Sequence, residues 1–121
     1  MLLQKITKNF EYQYVSANAA RIVTRGFVLL GCPKEGQEGM VRFGVIASRK
    51  LGGAVRRNKV KRRLRMICQQ VMPEHGTAGW DYVLIGRYAG HDMEFEKMLR
   101  DLKAALKNVA IAPKEKDEKR I

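Results

Sequence analysis

Val60, Leu64, Ile67, Cys68 and Val71 recur at helical spacing. At about 100° per residue they form one apolar stripe roughly 100° wide. A helix with such a stripe has to bury it against another layer of structure. What surrounds the stripe narrows the possibilities further. Residues 39–73 carry ten Lys and Arg and no Asp or Glu. Asn58, Lys61, Arg62 and Arg65, at i, i+3, i+4 and i+7, fall opposite the stripe, and Lys59 and Arg63 flank its other edge. Arg56 and Arg57 open the same segment, and Arg49 and Lys50 extend it just before Gly52 and Gly53. The glycine pair is expected to make a turn.

This face is costly to an isolated protein. Lys59 with Arg62 or Arg63, and Lys61 with Arg65, are like charges at neighbouring helical positions. Each pair costs roughly 0.2–0.5 kcal/mol. Cations near a helix N-terminus also oppose its dipole. A merely solvated face usually mixes signs, and this one does not. Guanidinium groups match phosphate oxygens with a planar fork of donors. Asn58 has two readings, as a donor to a phosphate or base edge and as a helix N-cap. The chain as a whole has a net charge of +12, of which residues 39–73 supply +10. So focused an excess points to a polyanionic partner.

Other partners fit less well. A membrane-surface helix would need its apolar stripe free, and the stripe is required for the core. No apolar run approaches the roughly 18 residues of a membrane span, and the chain is expected to be cytoplasmic. Cys32 and Cys68 match no metal-ligand spacing, and Cys68 is expected to be a reduced, buried thiol. His75 and His91 sit in expected loops with no partner for acid–base work. Neither catalytic nor metal-ligating residues are expected.

Around the basic helix the chain alternates helices and strands. A short helix is expected over about residues 7–15, with Phe10 and Tyr14 sharing one face. Strands are expected at 26–31, at 42–48 and at 80–86. In the second, Phe43, Val45 and Ala47 should face one way and Gly44, Ile46 and Ser48 the other. The basic helix begins near 55–58, and Pro73 and Gly76 mark its end. Phe95, Met98, Leu99, Leu102, Leu106 and Val109 define a last amphipathic helix over about 93–109. The expected fold is α/β (α+β), in the order α-β-β-(β)-α-β-α, with helices packed on a sheet. Residues 1–112 form one domain, and 113–121 read as a disordered charged tail.

Ser48-Arg49-Lys50-Leu51-Gly52, then Ala54-Val55, then Arg57-Asn58-x-x-Lys61-Arg62-x-x-Arg65 resembles the signature of the bacterial ribonuclease P protein subunit. The resemblance covers roughly residues 5–109. It implies a two-layer α/β sandwich with a left-handed β-α-β crossover, an exception to the usual hand. It implies a non-catalytic protein subunit that assists a catalytic RNA in removing the 5′ leader of precursor tRNA. The RNA would perform the hydrolysis with Mg²⁺ that it holds itself. The implied RNA-binding residues are Arg49, Lys50, Arg56, Arg57, Asn58, Lys59, Lys61, Arg62 and Arg65. A cleft for the single-stranded leader would include Phe10, Tyr14, Val28, Leu30 and Lys50. On spacing alone, Phe10 and Tyr14 would instead be core residues. The implied partners are the catalytic RNA and precursor tRNA, with no membrane and no obligatory protein partner. The chain departs from the family's pattern at Asn9, Leu30 and Met66, where an acid, an aromatic and a Glu are frequent.

Overall fold

A computed structural model of the chain describes residues 2–112; residues 113–121, expected as a charged tail, lie outside them. The described elements are β1 (Leu2–Lys5), α1 (Asn9–Asn18), β2 (Ala20–Val23), β3 (Phe27–Pro33), β4 (Met40–Ile46), α2 (Ala54–His75), β5 (Trp80–Gly86) and α3 (Phe95–Val109). Short 3-10 turns at Arg49–Leu51 and Tyr88–His91 follow β4 and β5. The five strands form one mixed sheet in the order β1-β4-β5-β3-β2. β4 runs parallel to both β1 and β5, whereas β3 is antiparallel to β5 and β2.

The expected α/β sandwich is present. β4-α2-β5 is a parallel crossover unit, and α2 and α3 cover one face of the sheet. Val60, Leu64, Ile67, Cys68 and Val71 are all buried there against Phe27, Leu29, Val41, Phe43, Tyr82 and Leu84. The stripe that the helical period defines is therefore the stripe that packs. Met98, Leu102, Leu106 and Val109 of α3 join the same core. α1 lies on the opposite face, where Val15 and Ala19 pack on Val28, Leu30, Cys32 and Val83.

Four readings of the sequence need correction. β1 was not expected; its short apolar start pairs in parallel with β4 from Leu2↔Met40 to Lys5↔Phe43, a long-range pairing that no local pattern encodes. β4 begins and ends two residues earlier than expected, so Ala47 and Ser48 fall outside it. α2 runs through Pro73 and ends at His75 with Gly76 as its C-cap, so of the two expected end markers Gly76 holds and Pro73 does not. A proline removes one bond to the carbonyl four residues back, here that of Gln69, which lies on the exposed side of the helix. Phe10 and Tyr14 are not core residues: they are 63% and 38% exposed, and Val15 takes the buried position on α1.

The 3-10 turn after β5 is held by close backbone packing. A Cβ on Gly90 would lie 2.6 Å from the carbonyl oxygen of Gly26. Because the obstacle is backbone, it cannot swing aside. Gly90→Ala should lower stability by about 1–3 kcal/mol, read as a lower thermal midpoint by circular dichroism. An unchanged midpoint would show that the packing there is looser than the geometry indicates.

Candidate nucleic-acid interface

The basic face is built by α2 and the turn before it. Gly52 has a φ of +126°, which only glycine adopts without strain. It turns the chain from Arg49–Leu51 into α2. Gly53, not Asn58, is the N-cap residue. Asn58 lies in the second turn and is exposed, so its side chain is free for a partner outside the protein. Arg62 and Arg65 are exposed as well, while Arg57, Lys59 and Lys61 are half-buried. Arg49 and Lys50 are exposed on the 3-10 turn.

Among the described residues, the side chains of Arg49, Lys50, Arg57, Lys59, Lys61, Arg62 and Arg65 make no hydrogen bond or ion pair. Six of these cations thus stand without an internal counter-charge, whereas Lys59 lies within the field of Asp92. That is an unfavourable arrangement in water and a ready one for a run of phosphates. Arg56 differs from them. Its guanidinium lies 3.8 Å from the centroid of the Tyr88 ring and donates to the Tyr88 carbonyl at 3.1 Å. Arg63 is also engaged, donating to the Met93 carbonyl and lying over Phe95.

The second expected site lies across the sheet. Odd and even residues of a strand face opposite sides, and the pairing aligns Val23, Val28, Ile85 and Ile46 in one row on the α1 side. Arg21, Leu30, Val83 and Gly44 form the next row. Val28 and Leu30 are thus neighbours on that side of the sheet, but both are buried, 8% and 7% exposed, with Val23 exposed and Ile46 and Ile85 partly open beside them. Phe10 and Tyr14 project from α1. The Lys34 ammonium lies 4.1 Å from the Tyr14 ring centroid, just past the C-terminal end of β3. Lys50 stands on the turn beyond β4, at the end of the sheet where Val28 lies. No hydrogen bond or ring contact joins Lys50 to the α1 aromatics among the described residues.

What positions α1 escaped the sequence reading. Asp81 is fully buried in β5, and Arg42 of β4 grips it with two bonds, Nε to Oδ1 at 3.0 Å and Nη2 to Oδ2 at 2.7 Å. Gln37 adds a third donor to Oδ1. Arg42 Nη1 also donates to Glu11 Oε2 at 2.5 Å. Glu11 accepts from the Lys8 backbone N–H at 3.2 Å through its other oxygen, which ties off the first turn of α1. Its hydrogen bond to Arg42 holds the Glu11 carboxyl below its ordinary value, and the bonds to Asp81 and Glu11 raise Arg42 further. Beside this network, Tyr12 lies directly over Gly44, where a Cβ would come within 2.4 Å of its hydroxyl. Tyr12 donates to the Ile6 carbonyl at 3.3 Å. The available signal was Asp81 itself, an acid at the start of an apolar strand, which demands a partner when buried.

Burial pushes the Cys68 thiol far above its ordinary value, so it is a core residue and not a nucleophile. His91 bonds to the neighbouring Asp92 at 2.6 Å, and His75 lies near Glu74. No group of three His, Cys, Asp or Glu that could hold a metal occurs among the described residues. No helix among them is long and apolar enough to cross a membrane.

The family model for ribonuclease P matches residues 3–110. The ribonuclease P protein component of Erythrobacter litoralis is 39% identical over 95 residues, covering 78% of this chain and 77% of that protein. That of Paramagnetospirillum magneticum is 36% identical over 115 residues, covering 93% and 86%. A solved Staphylococcus aureus RNase P protein, a mutant described as defective in mRNA degradation, superposes with a TM-score of 0.74 at 30% identity, covering 88% of this chain and 87% of that one. The RNase P protein from Thermotoga maritima shares the fold, with a TM-score of 0.73 at 24% identity over 87% and 96% of the two chains.

Proposed function

This chain belongs to the ribonuclease P protein family, and on that premise we propose that it grips the catalytic RNA of the enzyme through the exposed face of α2. It is a protein component of ribonuclease P, a subunit of an endoribonuclease complex of tRNA processing. The observation that carries the finer reading is the unpaired cation face. Six Lys and Arg side chains of α2 and the turn before it have no internal counter-charge, and phosphates supply what the protein lacks. Asn58, Arg62 and Arg65, in the exposed centre of that face, make the direct contacts.

The α1 side of the sheet takes the single-stranded 5′ leader of precursor tRNA. Phe10 and Tyr14 support this because they are exposed aromatics, and unstacked bases of any sequence stack on such rings. Val23, Ile46 and Ile85, beside the buried Val28 and Leu30, supply an apolar floor, and Lys50 stands ready for the leader's phosphates. The hydrolytic step belongs to the RNA and the Mg²⁺ that it holds; the protein's part is to bind and align. The site of action is the cytoplasm.

Cleavage of a 5′-extended precursor tRNA at low Mg²⁺, by the matching catalytic RNA with and without this protein, tests the assignment. The protein should restore correct cleavage and show no activity without the RNA. Tight RNA binding with no gain in cleavage would overturn the leader-processing role.

A further inference from the structure

We propose that the depression beside Tyr88 binds one unpaired nucleotide of the RNA held by α2, at a place separate from both the α2 face and the α1 side of the sheet. The proposal rests on the RNA-binding reading above. Tyr88 is 66% exposed, an unusual position for an aromatic ring without a ligand. One side of the ring is taken by the Arg56 guanidinium, which also holds the Tyr88 carbonyl. The ring further lines an open depression of about 600 Å³, together with Arg25, Asp92, Glu94, Lys97 and Arg100. Arg56 lies over one face of the ring, and at 66% exposure Tyr88 still has surface open to solvent where the residue borders the depression.

The chemistry of the lining fits a nucleotide. An open aromatic face is a platform for a base, and a guanidinium stacked behind it strengthens that role. Lys97 is paired with Asp101 at 2.6 Å and Asp92 with His91 at 2.6 Å. The side chains of Arg25, Arg100 and Glu94 make no hydrogen bond or ion pair among the described residues. Two free guanidinium groups suit a phosphate, and a free carboxylate accepts from an exocyclic amine. The volume is within the range of small-ligand sites.

The frame around the depression is fixed. Arg87 Nη1 donates to the Thr24 carbonyl at 2.7 Å, and the Arg87 backbone N–H donates to the Gly26 carbonyl at 3.0 Å. With the close approach of Gly90 to Gly26, these bonds lock the turn of Tyr88 to the β2–β3 hairpin that carries Arg25. Through Arg56 the site also touches the first turn of α2. The site therefore adjoins the end of α2 at which Arg57 and Asn58 also lie. The openness of the depression favours a nucleotide delivered by a bound strand over a free mononucleotide, which would need walls on more sides.

The test measures the affinity of the full chain for folded ribonuclease P RNA, with variants Tyr88→Phe, Tyr88→Leu and Arg62→Ala. Tyr88→Leu should weaken binding roughly ten-fold, within the range for loss of one base–aromatic stack. Tyr88→Phe should bind as wild type, because the ring is kept. The salt dependence should be unchanged in both, since no charge is removed. Thermal midpoints near wild type would show that the variants weaken binding and not folding. Equal affinity for wild type and Tyr88→Leu overturns the proposal. So does an equal loss in Tyr88→Phe, which would make the hydroxyl the group that binds. Binding of adenosine monophosphate to the free protein, abolished by Tyr88→Leu, would overturn the assignment to a strand-borne nucleotide. Wild type that fails to bind the RNA overturns the functional reading and this proposal with it. Wild-type binding that is sensitive to Arg62→Ala but indifferent to Tyr88→Leu overturns this proposal alone.

Discussion

Raising salt from about 50 to 200 mM should weaken binding of this protein to folded ribonuclease P RNA by about 10³–10⁵-fold, if roughly six to ten phosphates are neutralised. The expectation follows from the α2 face. Each bound phosphate releases condensed counterions, and the gain from that release shrinks as salt rises. Arg49, Lys50, Arg57, Lys61, Arg62 and Arg65 are unpaired within the described protein, so little of their charge is already spent on internal partners. The double variant Arg62→Ala, Arg65→Ala should flatten the slope of log affinity against log salt by about two, one unit for each phosphate no longer held. Its thermal unfolding should be unchanged or slightly improved, since both side chains are exposed and relieving like-charge neighbours stabilises a helix. Filter binding across a salt series measures the slope. A flat response in wild type would sink the electrostatic account. Loss of cooperative unfolding in the double variant would show the arginines to be structural.

Asp81→Ala should be among the most damaging single changes in the molecule, costing about 3–5 kcal/mol. Asp81 is fully buried and holds Arg42 with two bonds, and the Arg42 side chain is itself 13% exposed. Removing the acid strands a guanidinium near one end of the β4–β5 pair, with only Glu11 left to meet it. Marginal domains have little stability to lose, and a drop of this size lowers the midpoint by roughly 10 °C or more. Asp81→Asn, which keeps the shape and an acceptor, should lose less. An unchanged midpoint in Asp81→Ala would mean that water replaces the carboxylate without cost.

The same network predicts an acid limb. The Glu11 carboxyl is held below its ordinary value of 4.5 in the folded chain. Its contribution is present above the unfolded value and is lost as pH falls through the folded one. Glu11→Gln should therefore be less stable than wild type at neutral pH and converge on it in acid. Thermal midpoints of the two proteins across a pH series read this directly.

Much of this was legible in local pattern. The apolar stripe of α2 repeats every turn, so its burial follows from the helical period alone. The cation face is a direct consequence, since what is not in the stripe must point elsewhere. The alternation in β4 set Phe43 and Val45 on one side and Gly44 and Ile46 on the other for the same reason, and packing decided that the first meets α2 and the second α1. The motif around Asn58 carried the family. The short-range ends of elements were less secure: Pro73 punctuates in sequence but is tolerated in a last turn whose free carbonyl lies on the exposed side.

The remainder depended on contacts between residues far apart in the chain. Nothing near Leu2 announces that it will pair with β4 some forty residues on, because a four-residue edge strand has no period of its own. Phe10 and Tyr14 share a helix face by spacing, but only the packing of α1 on the sheet decided that Val15 is buried and the two rings are exposed. Asp81, Arg42 and Glu11 come from three separate elements, and Arg56 meets Tyr88 across thirty-two positions. Local sequence determines which face of each element is apolar and which is charged, since that depends on dihedral periodicity. Which charges become buried partners and which aromatics are left open depends on how the elements are brought together, and only the tertiary structure decided it.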